Sequence, residues 1–278
     1  MPRRGTAPTR ADSPSMPIAS GHDLAGPRPR RTRPAKSAAT AVDPALSDKA
    51  LAIHARLCPV YGCPIPYFHS LDPLSELVSS LLSHRTRNAE SGRAFKALRA
   101  RYPDWEGMLA APVAEIEAAI AGVTWPELKA PRLQAILSAV KARQGALSLD
   151  FLEDMAVEEA RAWLEAIPGV GPKTSAAVLS FSLLRMPALP VDSHHHRVAQ
   201  RTGLIGPRVD VGPSHPILRA QLPADWSAQA LYDNHEVLML HGQHVCHHRN
   251  PACGRCVLLD LCPEGQARTG GGGAIREP

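Results

Sequence analysis

Four cysteines close to the C-terminus, Cys246, Cys253, Cys256 and Cys262, follow the spacing C-x6-C-x2-C-x5-C within 17 residues. The inner C-x2-C pair lets two thiolates chelate from one tight turn. The outer two are near enough to complete a four-sulfur shell without ordering a long loop. Zn(II) and a [4Fe-4S] cluster both suit all-cysteine ligation, and ligand softness alone does not choose between them. Two disulfides are the competing reading; the ligand-like spacing and the lack of an export signal upstream weigh against it.

The rest of the 278-residue chain is long enough to bury a sizeable core. Hydrophobic residues make up 44% and aromatic residues only 4%. Ala and Leu dominate the periodic segments, which favours helix over sheet. The net charge of +5 is unevenly spread. Residues 1–40 carry eight basic side chains against Asp12 and Asp23, while the remainder holds 23 basic and 24 acidic residues. Bulk charge therefore does not argue that the body binds nucleic acid. The first segment, rich in Pro, Ala, Thr and Arg, lacks an apolar period and cannot offset the entropy of ordering. Residues 1–44 are expected to be a disordered basic arm, either a nucleic-acid contact or a solvated tail. An acid-poor leader of this kind also leaves organellar targeting open. No apolar run of membrane length is present, which excludes a helical membrane span. Gly270 to Gly273 reads as part of a flexible tail over 266–278.

Between these ends, short helices divided by Pro and Gly are expected, with no strand. Asp72-Pro73 is a helix start, followed by Leu74, Leu77, Val78, Leu81 and Leu82 at helical spacing up to Ser83. A second helix carries Phe95 and Leu98. A third runs from Pro112 through Ile116 and Ile120 to Gly122, and a fourth from Lys129 to Arg143 stops at Gly145. A further helix ends at Ile167 and buries Trp163 and Leu164.

Ile167-Pro-Gly-Val-Gly-Pro-Lys-Thr174 joins that helix to one beginning near Pro172. Gly169 and Gly171 around Val170 allow a tight hairpin whose N–H groups and following helix N-terminus make an anion site. A plain helical corner is the bland alternative. Lys173 sits where the helix dipole and burial both favour the neutral amine, a nucleophile. Nineteen residues on, Asp192 in Val191-Asp192-Ser193-His194 is placed to cap a helix. With Lys173 it can also serve as the acid–base or charge-stabilising partner of a covalent amine mechanism.

The run from about Leu71 to Cys262 resembles the endonuclease III branch of the helix-hairpin-helix DNA glycosylases. Ile167 to Ser175 is similar to its hairpin and catalytic lysine. Val191 to His194, with Arg197-Val198, is similar to its aspartate segment, and Leu240-His241-Gly242 leads into its cluster cysteines. The resemblance implies an all-α, two-lobed fold: a helical barrel over 71–186, and a cluster lobe from 45–70 and 187–265. It implies a [4Fe-4S] cluster rather than zinc. It also implies a bifunctional DNA glycosylase/AP lyase of base excision repair acting on damaged pyrimidines. Lys173 would attack C1′ and cleave by β-elimination, Asp192 would stabilise the developing charge, and Gly169, Val170 and Gly171 would hold phosphate. The partner would be double-stranded DNA with a damaged or abasic nucleotide, bound by a cytoplasmic, nucleoid-associated monomer.

The chain departs from the family pattern in places. The loop Ser83 to Asn88 has Arg85 where Gln is frequent as the wedge that fills the gap of the flipped base, with His84 beside it. Pro172 and Gln243 replace basic residues, while Arg249 in the first cysteine loop can reach phosphate. His194 is expected to help position Asp192, and the other histidines to be structural. Cys58 and Cys63 are expected to be reduced thiols. The rivals are a monofunctional uracil or thymine mismatch glycosylase and a catalytically silent DNA-binding or redox-sensing protein. Retention of Lys173 opposes the first, and retention of both Lys173 and Asp192 the second. An adenine-mismatch enzyme fits less well, since it usually lacks the lysine and has a further domain.

Overall fold

The computed structural model of the chain describes residues 43–270, and among these there are helices and no strand. In chain order they are α1 (Pro44–Tyr61), α2 (Pro73–Ser83), α3 (Asn88–Arg101), α4 (Trp105–Ala110), α5 (Val113–Ala119), α6 (Pro126–Gln144), α7 (Val157–Glu165), α8 (Pro172–Phe181), α9 (Ser193–Thr202), α10 (Val211–Ala220), α11 (Ala228–His244) and α12 (Pro263–Arg268). Short 3-10 turns lie at Asp150–Asp154, Cys253–Arg255 and Leu259–Leu261.

Local chemistry explains the starts and stops. Asp72 accepts the Ser75 N–H at 2.9 Å and Pro73 opens α2; Asp192 accepts the N–H groups of His194 and His195 at 2.9 and 2.7 Å to open α9. These caps satisfy donors that a helix leaves unpaired. Gly145, at φ +83°, ends α6 in the left-handed conformation that glycine adopts without strain.

Two cores result. The first gathers Leu74, Leu77 and Leu81 of α2, Leu98 of α3, Leu133 and Leu137 of α6, Leu164 of α7 and Val178 of α8. The second joins Ile53 and Leu57 of α1 to Val198, Leu218, Leu231, Val237 and Leu258. Each fully buried aliphatic side chain contributes about 1.5–3 kcal/mol. A small cluster of Ala177, Phe181 and Tyr232 connects α8 to α11, with Tyr67 stacked on Tyr232 at 4.1 Å. The chain crosses from the first core to the second between α8 and α9, which brings the two helix starts carrying Lys173 and Asp192 to one junction.

Some expectations change. Asp43 accepts the Ala45 N–H and α1 begins at Pro44, so a disordered arm over 1–44 is corrected at its last two residues; 1–42 lie outside the described residues. The tail over 266–278 is likewise helical at its start, since α12 runs to Arg268, and 271–278 lie outside the described residues. Cys58 and Cys63 are joined as a disulfide rather than free thiols. Gly62, at φ +80°, turns the chain back after α1 and brings their Cα atoms to 5.0 Å. Trp163 is only partly buried, and the Arg143 guanidinium lies 4.3 Å from its ring centre. No helix among the described residues is long and apolar enough to cross a membrane.

Candidate active site

The hairpin places Lys173 second in α8. Val170 is buried in the first core, and Gly169 takes φ +94°, a conformation costly for any residue with a Cβ. The Val170 N–H donates to Ile167 O at 3.0 Å, so it is used within the turn. The N–H groups of Gly169 and Gly171 donate to no described residue, which leaves those two for an external anion.

Lys173 is partly buried, and burial pushes its ammonium below the ordinary lysine range. The carboxylates of Glu76 and Asp192 pull it back up. The Asp192 Oδ1 is engaged by the two cap hydrogen bonds. Behind it, the buried His195 and His235 rings approach with Nδ1 atoms 3.4 Å apart. Burial drives His235 down to about 4 against the pull of Asp192, so its ring is neutral at physiological pH. Glu236, also buried, is pushed up to about 7 by burial and by the charges of Asp192 and Asp233. Glu76, His235 and Glu236 were not singled out in the sequence. A glutamate inside the apolar stripe of α2 is the one signal that pointed to any of them.

His194 packs across α11 at Gly242, where an added Cβ would lie 2.8 Å from His194 Cβ. Arg197 ties this crossing together, donating to Gly242 O at 2.6 Å and Cys246 O at 2.9 Å. Glycine in Leu240-His241-Gly242 is thus required by the close approach of α9 and α11.

The loop after α2 is built around Lys129, which was also not anticipated. Its Nζ donates to Leu82 O, His84 O and Thr86 Oγ1 at 2.7, 2.8 and 2.8 Å, and burial lowers it to about 8. Arg85 is exposed at φ +52°, its guanidinium 5.6 Å from the ring of half-exposed Trp125. These side chains border a groove of about 360 Å³ that includes Leu128 and Arg132. His84 also lines this groove, its Nε2 3.1 Å from Thr174 Oγ1, and burial holds it down at about 4. Arg249 is exposed in the first cysteine loop.

Cys246, Cys253, Cys256 and Cys262 are unpaired and line one pocket. Arg201, another residue not foreseen, donates to Cys246 Sγ at 3.3 Å and to His247 O and His248 O at 2.7 and 3.0 Å. The Leu258 and Gly265 N–H groups donate to Cys256 and Cys262 Sγ at 3.4 and 3.2 Å. Gly265 leaves room that a Cβ, 3.1 Å from Leu259 Cδ1, would take. Cationic and N–H donors aimed at sulfur suit thiolates. Among the described residues no three His, Cys, Asp or Glu side chains converge on a single ion.

The described residues thus bring an amine and a carboxylate to the junction of two cores, beside a glycine hairpin with two unused N–H groups. Residues 78–220, just over half the chain, match the HhH-GPD superfamily base excision DNA repair protein. The chain belongs to this superfamily and, within it, to the endonuclease III family, as an enzyme that is a DNA glycosylase of base excision repair. Endonuclease III of Bacillus subtilis is 32% identical over 200 residues, 71% of this chain and 84% of that protein. A relative from Arabidopsis thaliana is 33% identical over 173 residues, 62% of this chain and 57% of its own length. A non-covalent endonuclease III–DNA complex has a similar fold at TM-score 0.68 and 24% identity, covering 80% of this chain and 98% of that one. A thermostable thymine-DNA glycosylase follows at TM-score 0.66 and 20% identity, covering 80% and 99%.

Proposed function

We propose that the protein is a bifunctional glycosylase/AP lyase that removes damaged pyrimidines from double-stranded DNA and cleaves the strand through Lys173. The observation that carries this reading is a partly buried amine at a helix start, lowered below the lysine range by burial, beside the carboxylate of Asp192. The neutral Nζ bonds to C1′ of an extruded nucleotide as the N-glycosidic bond breaks, and the base leaves with the bonding pair and takes up a proton. Asp192 stabilises the cationic sugar as that bond lengthens. Opening of the sugar gives an imine to Lys173. Loss of a C2′ proton then expels the 3′ phosphate, and the electrons of the C–H bond form the new C=C bond. The N–H groups of Gly169 and Gly171 anchor a neighbouring phosphate, Arg85 enters the gap left by the base, and His84 serves the loop by bonding to Thr174 rather than as the wedge.

Cys246, Cys253, Cys256 and Cys262 would hold a [4Fe-4S] cluster, which when bound supplies cross-linking of the C-terminal loop. Arg249, exposed between the first two cysteines, then sits on a fixed loop from which to meet phosphate.

Borohydride reduction with abasic-site duplex tests the reading. Wild type should be trapped covalently, and Lys173→Ala should lose trapping while retaining DNA binding. Base release by wild type without any trapping would make it a monofunctional glycosylase. Duplexes carrying single oxidised pyrimidines, uracil or mismatched thymine, scored for base release and cleavage separately, test the substrate.

A further inference from the structure

The chain also passes between the two cores at residues 62–72, which leave the end of α1 and lead into α2. This strap is fixed along its length. The Ile65 N–H donates to Asp233 Oδ1 at 2.9 Å and Ile65 O accepts from Gln229 Nε2 at 3.0 Å, both on α11. Tyr67 stacks on Tyr232 and has the Arg185 guanidinium 3.4 Å from its ring centre. Leu71 O accepts from the Leu183 N–H at 2.8 Å, just past α8. At its start the strap is fastened by the Cys58–Cys63 disulfide, which joins it to the last turn of α1.

Three features set this pair apart from an inert cross-link. Cys63 is half-buried in the turn between exposed Gly62 and exposed Pro64, and Pro59 and Val60 beside it are exposed as well, so a second protein can reach the bond. His54 lies one turn before Cys58 with Nε2 3.5 Å from Sγ, and its Nδ1 is buried with no partner among the described residues. Cys246, Cys253, Cys256 and Cys262 stay unpaired although they line one pocket, so bond formation at Cys58 and Cys63 is a local property of this turn. Reachable disulfides are the ones that exchange. We propose that Cys58 and Cys63 form a reversible redox site: a protein dithiol reduces their disulfide and so unfastens the strap between the two cores. Nothing in this exchange depends on Lys173. The attacking thiolate bonds to Cys63 Sγ, the S–S bond breaks, and its electron pair leaves on Cys58 Sγ, which takes a proton from solvent. His54 Nε2 is placed to donate to that departing sulfur. The second thiol of the reductant, as thiolate, then attacks its own sulfur in the mixed disulfide and frees Cys63, which takes up the second proton. Two electrons pass to the pair from the dithiol, which becomes a disulfide; the oxidised dithiol protein closes the bond by the reverse route.

Alkylation of the purified protein before and after incubation with reduced thioredoxin tests this, read by mass spectrometry of the peptide that carries Cys58 and Cys63. No label is expected before and both cysteines labelled after, without denaturant, and oxidised thioredoxin should restore the unlabelled form. Labelling that requires guanidinium would make the bond a structural brace and overturn the inference. Thiols that are free on isolation and do not close with oxidised thioredoxin would overturn it too. Thioredoxin lacking its second cysteine should remain joined to Cys63, and attachment at Cys58 overturns the order of attack. The strap itself is read in the wild type by hydrogen exchange. On reduction its amides should exchange about tenfold faster while those of α6 hold. Equal exchange in both forms would show that the disulfide fastens nothing. Cys63→Ser should exchange at the fast rate with no reductant present, and slow exchange in that variant would contradict the fastening as well.

Discussion

At the scale of single residues, burial decides which charges this active site can use. Glu236, pushed up to about 7, keeps its proton in the fold at pH values where the unfolded chain has released it. A raised carboxylate contributes stability that is full below the unfolded value of about 4.3 and is lost as pH rises through 7. Glu236→Gln should therefore stabilise the protein by about 1–3 kcal/mol at pH 8 and not at pH 4. Denaturant unfolding at the two pH values measures this, and an equal gain at both would place the effect in packing. Asp192→Asn keeps an oxygen that can accept the His194 and His195 N–H groups, so the cap survives while the charge is lost. Base release should slow by a factor of about 100 or more, with a melting temperature near that of wild type. Unchanged turnover would reduce Asp192 to a cap.

Among the elements, the crossing of α9 and α11 at Gly242 is the least tolerant. A Cβ there meets His194 Cβ at 2.8 Å and its carbonyl oxygen at 3.0 Å, so Gly242→Ala should cost about 1–3 kcal/mol. Equilibrium unfolding reads the loss directly, and a neutral result would show that the two helices slide apart freely. Helix starts at Pro73, Pro172 and Asp192 were legible in the sequence because capping is decided by neighbours a few residues apart. The hairpin glycines, Lys173 and the cysteine spacing were legible for the same reason. Glu76 was passed over because its burial depends on α8 packing along α2, and Lys129 because its three acceptors lie more than 40 residues upstream. The Cys58–Cys63 disulfide was missed because it depends on the left-handed turn at Gly62.

For the whole molecule, the proposed reaction site lies between two cores and the cysteine loop packs on the second. Cys246 and Cys256 lie against that core, and His241, 3.4 Å from Cys256 Sγ, reaches Tyr61 on α1 at 3.3 Å. Loss of a group held by these cysteines should therefore loosen the second core before it touches Lys173 in the first. Metal analysis of purified wild type should find about four irons per chain, with Cys256→Ser colourless and lower-melting. Zinc in a colourless wild type would contradict the cluster. The two cores are held to each other through Phe181, Tyr232 and Tyr67.

The identity of the attacking atom is the central claim, and peptide mapping of the borohydride-reduced complex tests it most directly. After nuclease and protease digestion, mass spectrometry should place the deoxyribose remnant on the peptide containing Lys173, attached at Nζ. Attachment to a different lysine or to the N-terminal amine, with Lys173 unmodified, would contradict the account.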